Sequence, residues 1–557
     1  MPKGIYKNKK CLVKFHPPFT PNEHQVNVMN YFSDLPHKGL LLYHKLGSGK
    51  TCTSIMVADN LLSNKKINHV FIITPGSLRS SWIKEYCTKC GIGNDYLSKY
   101  FTFITYNYDI NLSLNSVDFN NSLVIIDEVH NLINGVKNTS VNPLSIYNKI
   151  YNSNCKVLAL SGTPVMNGLY EFAILGNILK ENTFPNLLEY KNDKYKFNLT
   201  EANNLNSTDN WYTEGQLDGI ISYYPGDVTE FPKVIYKKPI KCKLSSIQAS
   251  FVKEKYEMET RIRKTGPPSE KLKIEKPQDY EIMKKLFIMA SLWVSTRKAS
   301  NFIYFSKDTI FFDKDGERIK NPFVFTDEFT FSNSEIKTLV NKEKSKEKDE
   351  IWKSEKILPD LLEKEGGWIN NDTFSDRKLI TMFSPKIASL LVNITLHPNT
   401  KHMVYTFFKK KSGVQIIKTL LKNCGITCKI FSGDLDDMER TSLLNRFNSE
   451  ENRNGEKIQV VLVTGAGTEG ITLLEVNNVH ILESSISEKK TEQAIGRAVR
   501  YKSHSKMPKE RRYVNVWRYW SISPNGDELI DENLYNNSKS IVDRVDKFTD
   551  VLVNNSI

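Results

Sequence analysis

No apolar run in the chain reaches the roughly 18 residues that a membrane-spanning helix needs. The start, "MPKGIYKNKKCLVKF", is basic but has no apolar core, so a secretory signal is not expected. Cysteine is sparse, with eight in 557 residues, at 11, 52, 87, 90, 155, 242, 424 and 428. That scatter excludes a small disulfide scaffold and reads as reduced thiols. Cys87 and Cys90 form a CxxC and Cys424 and Cys428 a looser pair, so a zinc site joining them is the alternative, across regions of different texture. No solenoid-length repeat is visible. Acidic residues are in deficit: 77 Lys and Arg against 63 Asp and Glu leave +14. Such an excess suits a polyanionic partner, nucleic acid above all, although a Lys- and Asn-rich composition from an AT-rich genome would produce it too.

What is present points to two or more domains, because 557 residues exceed one hydrophobic core. Short apolar runs alternate with helical stretches in "GLLLYH" (39–44), "HVFIIT" (69–74), "YFTFIT" (100–105), "SLVIID" (122–127) and "KVLALS" (156–161). Unbroken β-branched and aliphatic runs predict a parallel sheet covered on both faces. A second series follows in "HMVYTFF" (402–408), "TCKIFSG" (427–433), "IQVVLVT" (458–464), "NVHILE" (478–483) and "RYVNVW" (512–517). Between the two series, 245–264 has helical spacing and the charged tract 341–356 reads as a solvated face or linker, and between the first two strands of the second series 413–425 has helical spacing too.

Three segments carry chemistry. "HKLGSGKT" (44–51) follows a predicted strand and precedes a predicted helix, the context of a phosphate-binding loop, although His44 takes the place of the generic first glycine. Gly47, Ser48 and Gly49 would turn backbone N–H groups onto phosphates, Lys50 would reach the β and γ phosphates, and Thr51 would hold Mg²⁺. "SLVIIDEVH" places Asp127 and Glu128 at a strand end, the first for Mg²⁺ and the second to orient or deprotonate water. "EQAIGRAVRYKSH" (492–504) holds Gln493, Arg497 and Arg500. If it is helical, the two arginines share a face and can meet transition-state charge. Ordinary turns and a plain basic face are the bland alternatives.

In order and separation these segments resemble the motifs of superfamily 2 helicase-type ATPases. "ITPGSL" (73–78) is similar to motif Ia of that superfamily, "SGTPVMNGLYEF" (161–172) to motif III, and "VTGAGTEGITLLEVNNVHILE" (463–483) to motif V. "SLRSSWIKE" (77–85) and "CKLSSIQASF" (242–251) resemble its Swi/Snf branch. "STRKASNFIY" (295–304), "SPKIASLL" (384–391) and "IGRAVRYKSHSKMPKERRYVNVWRYW" (495–520) are similar to a family of poxviruses and related large DNA viruses. That family comprises nucleoside triphosphate phosphohydrolase I and the early transcription factor small subunit.

The resemblance implies two RecA-like parallel-sheet domains in tandem with a largely helical insertion. The expected boundaries are 1–185, 186–380 for the insertion, 381–535, and a helical tail over 536–557. It implies ATP and Mg²⁺ as cofactors, DNA and a viral-type multisubunit RNA polymerase or transcription factor as partners, and residence in host cytoplasm or virion. The implied activity is a DNA-dependent ATPase and translocase acting in transcription; an RNA helicase and a promoter-binding subunit with auxiliary ATPase are the alternatives. Carried over by residue, Ser161 and Thr163 would couple phosphate state to domain closure, with Glu469 and Gly470. Thr74, Pro75 and Thr464 would meet a phosphate backbone, and Gln25 the nucleotide base. The runs Lys409–Lys411 and Arg511–Arg512 could extend a nucleic-acid path, while Trp517, Tyr519 and Trp520 fit core packing better than base stacking. The chain ends about 37 residues after "VNVWRYW", leaving little room for a further domain.

Overall fold

The computed structural model describes residues 5–7, 19–45, 47–91, 94–106, 117–191, 194–208, 211–226, 228–305, 384–409, 413–467 and 471–557, with short strands at 311–312, 318–319 and 330–331. Contacts divide the chain into two units, one of residues 1–230 with 539–557 and the other of 231–538. The charged tract at 341–356 lies outside the described residues, as do Glu469 and Gly470.

The first unit is built on a seven-stranded sheet. In chain order its strands are β1 (Ile5–Lys7), β2 (Gly39–His44), β3 (His69–Ile73), β4 (Phe101–Ile104), β5 (Ser122–Ile126), β6 (Lys156–Ser161) and β7 (Ile221–Tyr224). They lie in the order β1-β4-β3-β5-β6-β2-β7. Only β1 runs antiparallel to its neighbour. The expected all-apolar strands have the expected cause. Leu41 and Tyr43 enter one core layer while Leu40 and Leu42 enter the other, because successive side chains alternate faces and both faces are covered. Val545, Phe548 and Leu552 of the last helix pack into the first of these layers.

The second unit carries a wholly parallel sheet of β8 (Lys233–Tyr236), β9 (Ile240–Lys243), β10 (Lys401–Thr406), β11 (Cys428–Phe431), β12 (Val460–Thr464), β13 (Val476–Ile481) and β14 (Tyr513–Ile522). Its order is β8-β14-β13-β10-β12-β11, with β9 also on β14. Ahead of β10 comes a helical run, Ser246–Thr265, Glu270–Glu275, Pro277–Ser291 and Val294–Asn301. The first of these starts where the Ser245 hydroxyl accepts from Gln248 N at 3.2 Å and stops at Gly266, whose φ of 76° a residue with a side chain adopts reluctantly. The fold is thus two parallel α/β sheets in tandem, as expected.

Several strings that resemble the viral family form a buried polar hub in this unit. Lys386 Nζ meets Asp531 at 2.6 Å with both side chains fully buried, and also donates to Ser300 Oγ and Asn301 Oδ1 at 3.0 and 3.2 Å. Glu483 accepts from Asn301 Nδ2, Thr406 Oγ1 and Phe407 N. Trp517 and Tyr519 are structural too. The Trp517 indole donates to Asn478, and the fully buried Tyr519 hydroxyl contacts His480 and Asn393. Arg511 and Arg512 donate to Asn454 Oδ1 and to main-chain carbonyls.

The reduced-thiol expectation needs correcting. Cys52 and Cys90 are joined by a disulfide, with Cα atoms 5.6 Å apart. They lie 38 residues apart in sequence and meet only because helix α2 (Lys50–Ser63) packs beside the π-turn Tyr86–Cys90. Cys424 and Cys428 are free and in the other unit, and no group of three metal-ligating side chains occurs among the described residues.

Candidate functional site

The phosphate-loop segment links β2 to α2. Gly47 and Gly49 have φ of 86° and 81°, the left-handed region that glycine adopts without the strain a side chain would bring to this short turn. A Cβ on Gly49 would also lie 2.7 Å from Gln25 Nε2. Lys50 opens α2 with its ammonium turned back onto the loop, donating to the His44 carbonyl at 2.6 Å and the Lys45 carbonyl at 3.3 Å. His44 therefore serves through its backbone. Its ring is fully buried, touches Ser222 Oγ at 3.0 Å, and is held neutral because burial, reinforced by the Lys50 charge, pushes its pKa down to about 3.

Helix α1 (Glu23–Ser33) clamps this loop. His24 Nε2 meets the Ser48 carbonyl at 3.1 Å while its ring stacks on Tyr224 at 3.6 Å. Gln25, expected to meet a nucleotide base, is buried and differently engaged. Its Oε1 accepts from Asn22 N at 2.9 Å, and its Nε2 donates to Gly49 O and Thr53 Oγ1 at 3.3 Å. A glutamine at the third position of a helix reaches back to the cap, here with one lone pair of its Oε1.

Asp127 follows β5 directly, its N–H donating to the Ile73 carbonyl at 2.8 Å. Its Oδ1 accepts from Glu128 N at 3.0 Å and its Oδ2 from the Trp82 indole at 2.7 Å. Burial, then the Glu128 charge, raises the Asp127 carboxyl to about 6, against the opposing pull of Trp82 and Lys50. Glu128 has φ of 49°, unusual for a residue with a side chain, and its carboxylate lies 3.4 Å from His130 Nδ1. Thr74 is fully buried, with its hydroxyl 3.5 Å from Asp127 Oδ2, and Pro75 is buried as well. The Thr74 side chain points inward, and Gly76 is the exposed residue there. Ser161 ends β6 fully buried, and its Oγ accepts from Thr163 N at 3.0 Å.

Sequence reasoning missed Trp82 and Tyr106, whose hydroxyl donates to the Asp127 carbonyl at 3.2 Å. The tryptophan stood inside "SLRSSWIKE", which marked the branch but gave no hint of a bond 45 residues away.

In the second unit, Gln493 lies on the helix Glu488–Ile495, but Gly496 caps that helix. Arg497 and Arg500 therefore sit in the turns that follow, which corrects their expected placement on one helical face. Arg497 is buried and pinned through its backbone, donating to the Ala494 carbonyl and accepting from Leu473 N. Arg500 Nε donates to the Gly496 carbonyl at 3.4 Å. Thr464 ends β12 and is buried.

The donor set of the first unit fits a nucleoside triphosphate with Mg²⁺. Thr51 would offer a hydroxyl and Asp127 a carboxylate, the hard oxygen donors that Mg²⁺ prefers. The chain matches the SNF2-related domain family over residues 24–272 and the helicase conserved C-terminal domain family over residues 385–502. It is 26% identical to a putative ATP-dependent RNA helicase of Acanthamoeba polyphaga mimivirus, over 90% of this chain and 82% of that protein. It is also 26% identical to nucleoside triphosphatase I of Melanoplus sanguinipes entomopoxvirus, over 91% of this chain and 74% of the relative. Among solved structures, the Pyrococcus furiosus Hef helicase domain aligns at TM-score 0.41 and 15% identity, covering 93% of this chain and 98% of that one.

Proposed function

Because this chain belongs to the superfamily 2 helicase-type ATPases, with an SNF2-related domain ahead of a helicase C-terminal domain, we propose that it couples ATP hydrolysis to movement along DNA. It is an ATP-hydrolysing, helicase-like enzyme. The observation that carries the DNA reading is the SNF2-related match, which spans both the phosphate loop and the Asp127–Glu128 strand end.

In this reading the loop N–H groups and Lys50 bind the phosphates, and Lys50 exchanges its bond to the His44 carbonyl for one to phosphate oxygen. Mg²⁺, held by Thr51 and Asp127, would neutralise charge on the phosphate oxygens. Glu128 orients the attacking water and takes its proton, with His130 beside it. Arg497 and Arg500 provide fixed positive charge for the transition state, with Gln493. Ser161 and Thr163 pass the state of the phosphates on to the rest of the protein, with Glu469 and Gly470, and the loops around Pro75 and Thr464 track a nucleic-acid backbone. The setting is viral-type transcription beside a multisubunit RNA polymerase, in host cytoplasm or virion, and its support is the likeness of "STRKASNFIY" and "IGRAVRYKSHSKMPKERRYVNVWRYW" to the poxvirus family.

ATP turnover by the full chain, measured without nucleic acid and with single-stranded DNA, duplex DNA or RNA, tests this. Stimulation by DNA is expected. Stimulation by RNA alone would overturn it in favour of an RNA helicase, the second reading, which the mimivirus relative's name supports. Unimpaired transcription by Lys50→Ala would instead favour a promoter-binding subunit.

A further inference from the structure

We propose that Trp82 is the positioning residue that orients Asp127 for the metal ion. The indole is 3% exposed and its Nε1 donates to Asp127 Oδ2 at 2.7 Å. On the other side of the carboxylate, Glu128 N donates to Oδ1 at 3.0 Å. A carboxylate offers about four lone-pair directions, so two N–H donors, one per oxygen, fix its plane and leave the remaining directions for a cation. The Thr74 hydroxyl, at 3.5 Å, is too distant to do this, and Tyr106 bonds the main-chain carbonyl of Asp127 and not its side chain.

The donor is itself anchored to the nucleotide site. Trp82 sits on helix α3 (Arg79–Glu85), which runs directly into the π-turn Tyr86–Cys90. Cys90 of that turn is bonded to Cys52 of α2, one residue beyond Thr51, and the Tyr86 hydroxyl lies 3.5 Å from Asp59 Oδ1 on the same helix. The element that aims the indole is thus fastened to the helix that carries the other metal-holding group. A buried indole needs some acceptor in any fold. Here the acceptor is the one carboxylate assigned to the metal, held by an element tied to its co-ligand.

The inference rests on the assignment of Asp127 to the metal, so the experiment separates the two. Mn²⁺ binding to the full chain with saturating ADP, read from the free-ion electron paramagnetic signal at pH 8, is compared for the wild type, Asp127→Asn, Trp82→Phe and Trp82→His. ADP affinity without metal and the melting midpoint are measured alongside. Phenylalanine keeps an aromatic ring but has no N–H. Histidine lacks the benzo ring, yet its Nε2 is reached through the same number of bonds as the indole nitrogen. Trp82→Phe should weaken Mn²⁺ binding about 10–100-fold, the usual effect of losing an outer partner of a metal ligand, with metal-free ADP affinity unchanged. Trp82→His should recover most of that loss while melting lower than Trp82→Phe. Wild-type Mn²⁺ binding by Trp82→Phe, with Asp127→Asn defective, would overturn the role of Trp82 alone. Equal defects in Trp82→Phe and Trp82→His would also overturn it, since packing would then be the cause. Normal binding by Asp127→Asn would remove the assignment on which it rests.

Discussion

Replacing Gln25 by alanine distinguishes a base-reading amide from a brace on the phosphate loop. The side chain makes one good bond, from Asn22 N at 2.9 Å, and two long ones, to Gly49 O and Thr53 Oγ1 at 3.3 Å. The first caps α1 and is worth about 1 kcal/mol. The two long bonds together add about 1 kcal/mol, and a buried methylene lost with them about 0.8 kcal/mol. The total is about 2–3 kcal/mol, and in a unit of this size each kcal/mol moves the melting midpoint by about 2–4 °C. A fall of about 5–10 °C should follow in differential scanning calorimetry. Only the share at Gly49 and Thr53 touches the loop, so kcat/KM should fall about fivefold, for about 1 kcal/mol. The loss should be equal for ATP and GTP, because every triphosphate uses the same loop. A tenfold change in the ATP-to-GTP ratio with an unchanged melting midpoint would refute the brace and restore the base contact.

Arg500→Ala should slow turnover by about 10³-fold with nucleotide affinity almost intact, if its charge serves the transition state; comparison of single-turnover rates with nucleotide titrations checks this. Lys386→Ala should cost the second unit about 3–5 kcal/mol, since Asp531 would be left charged and fully buried, and urea unfolding followed by fluorescence would reveal it. Acid should also weaken the second unit. His402 and His504 have pKa values pushed down to about 4 by burial, and His480 lies well below its ordinary value for the same reason. Between about pH 6.5 and 4 the unfolded chain binds protons that these folded rings refuse, so stability is full above about pH 6.5 and lost as pH falls through that window. His402 and His504 each contribute on the order of 3 kcal/mol at most, and urea midpoints should change little between pH 7.5 and 6.5 and fall at pH 5.5 and again at 5.0.

Much of the fold was legible because apolar runs report burial directly. Runs such as "SLVIID" and "IQVVLVT" lie in strands with both faces covered, and "GVQIIKTLLKNCG" forms a helix stopped before Gly425. Placement of the arginines was less legible. "EQAIGRAVR" has helical composition, but Gly496 ends the helix, so both arginines lie beyond the terminus that the composition alone would place after them. Residues 186–230 gave no sheet-like periodicity strong enough to place them. Their strand Ile221–Tyr224 joins the first sheet by pairing with β2 across about 180 positions.

The sequence by itself determined the chemistry on offer: a glycine-rich turn before Lys50 and Thr51, adjacent carboxylates at a strand end, and two parallel sheets to carry them. These follow from local rules, since periodicity, turn residues and motif spacing all act over a few residues. Only the tertiary structure decided which side chains those groups meet. Gln25 reaches Gly49, Thr74 turns inward, Cys52 finds Cys90, and Trp82 finds Asp127. Each partner is distant in sequence and selected by packing, and hydrogen bonding to a buried group leaves no periodic trace in the chain.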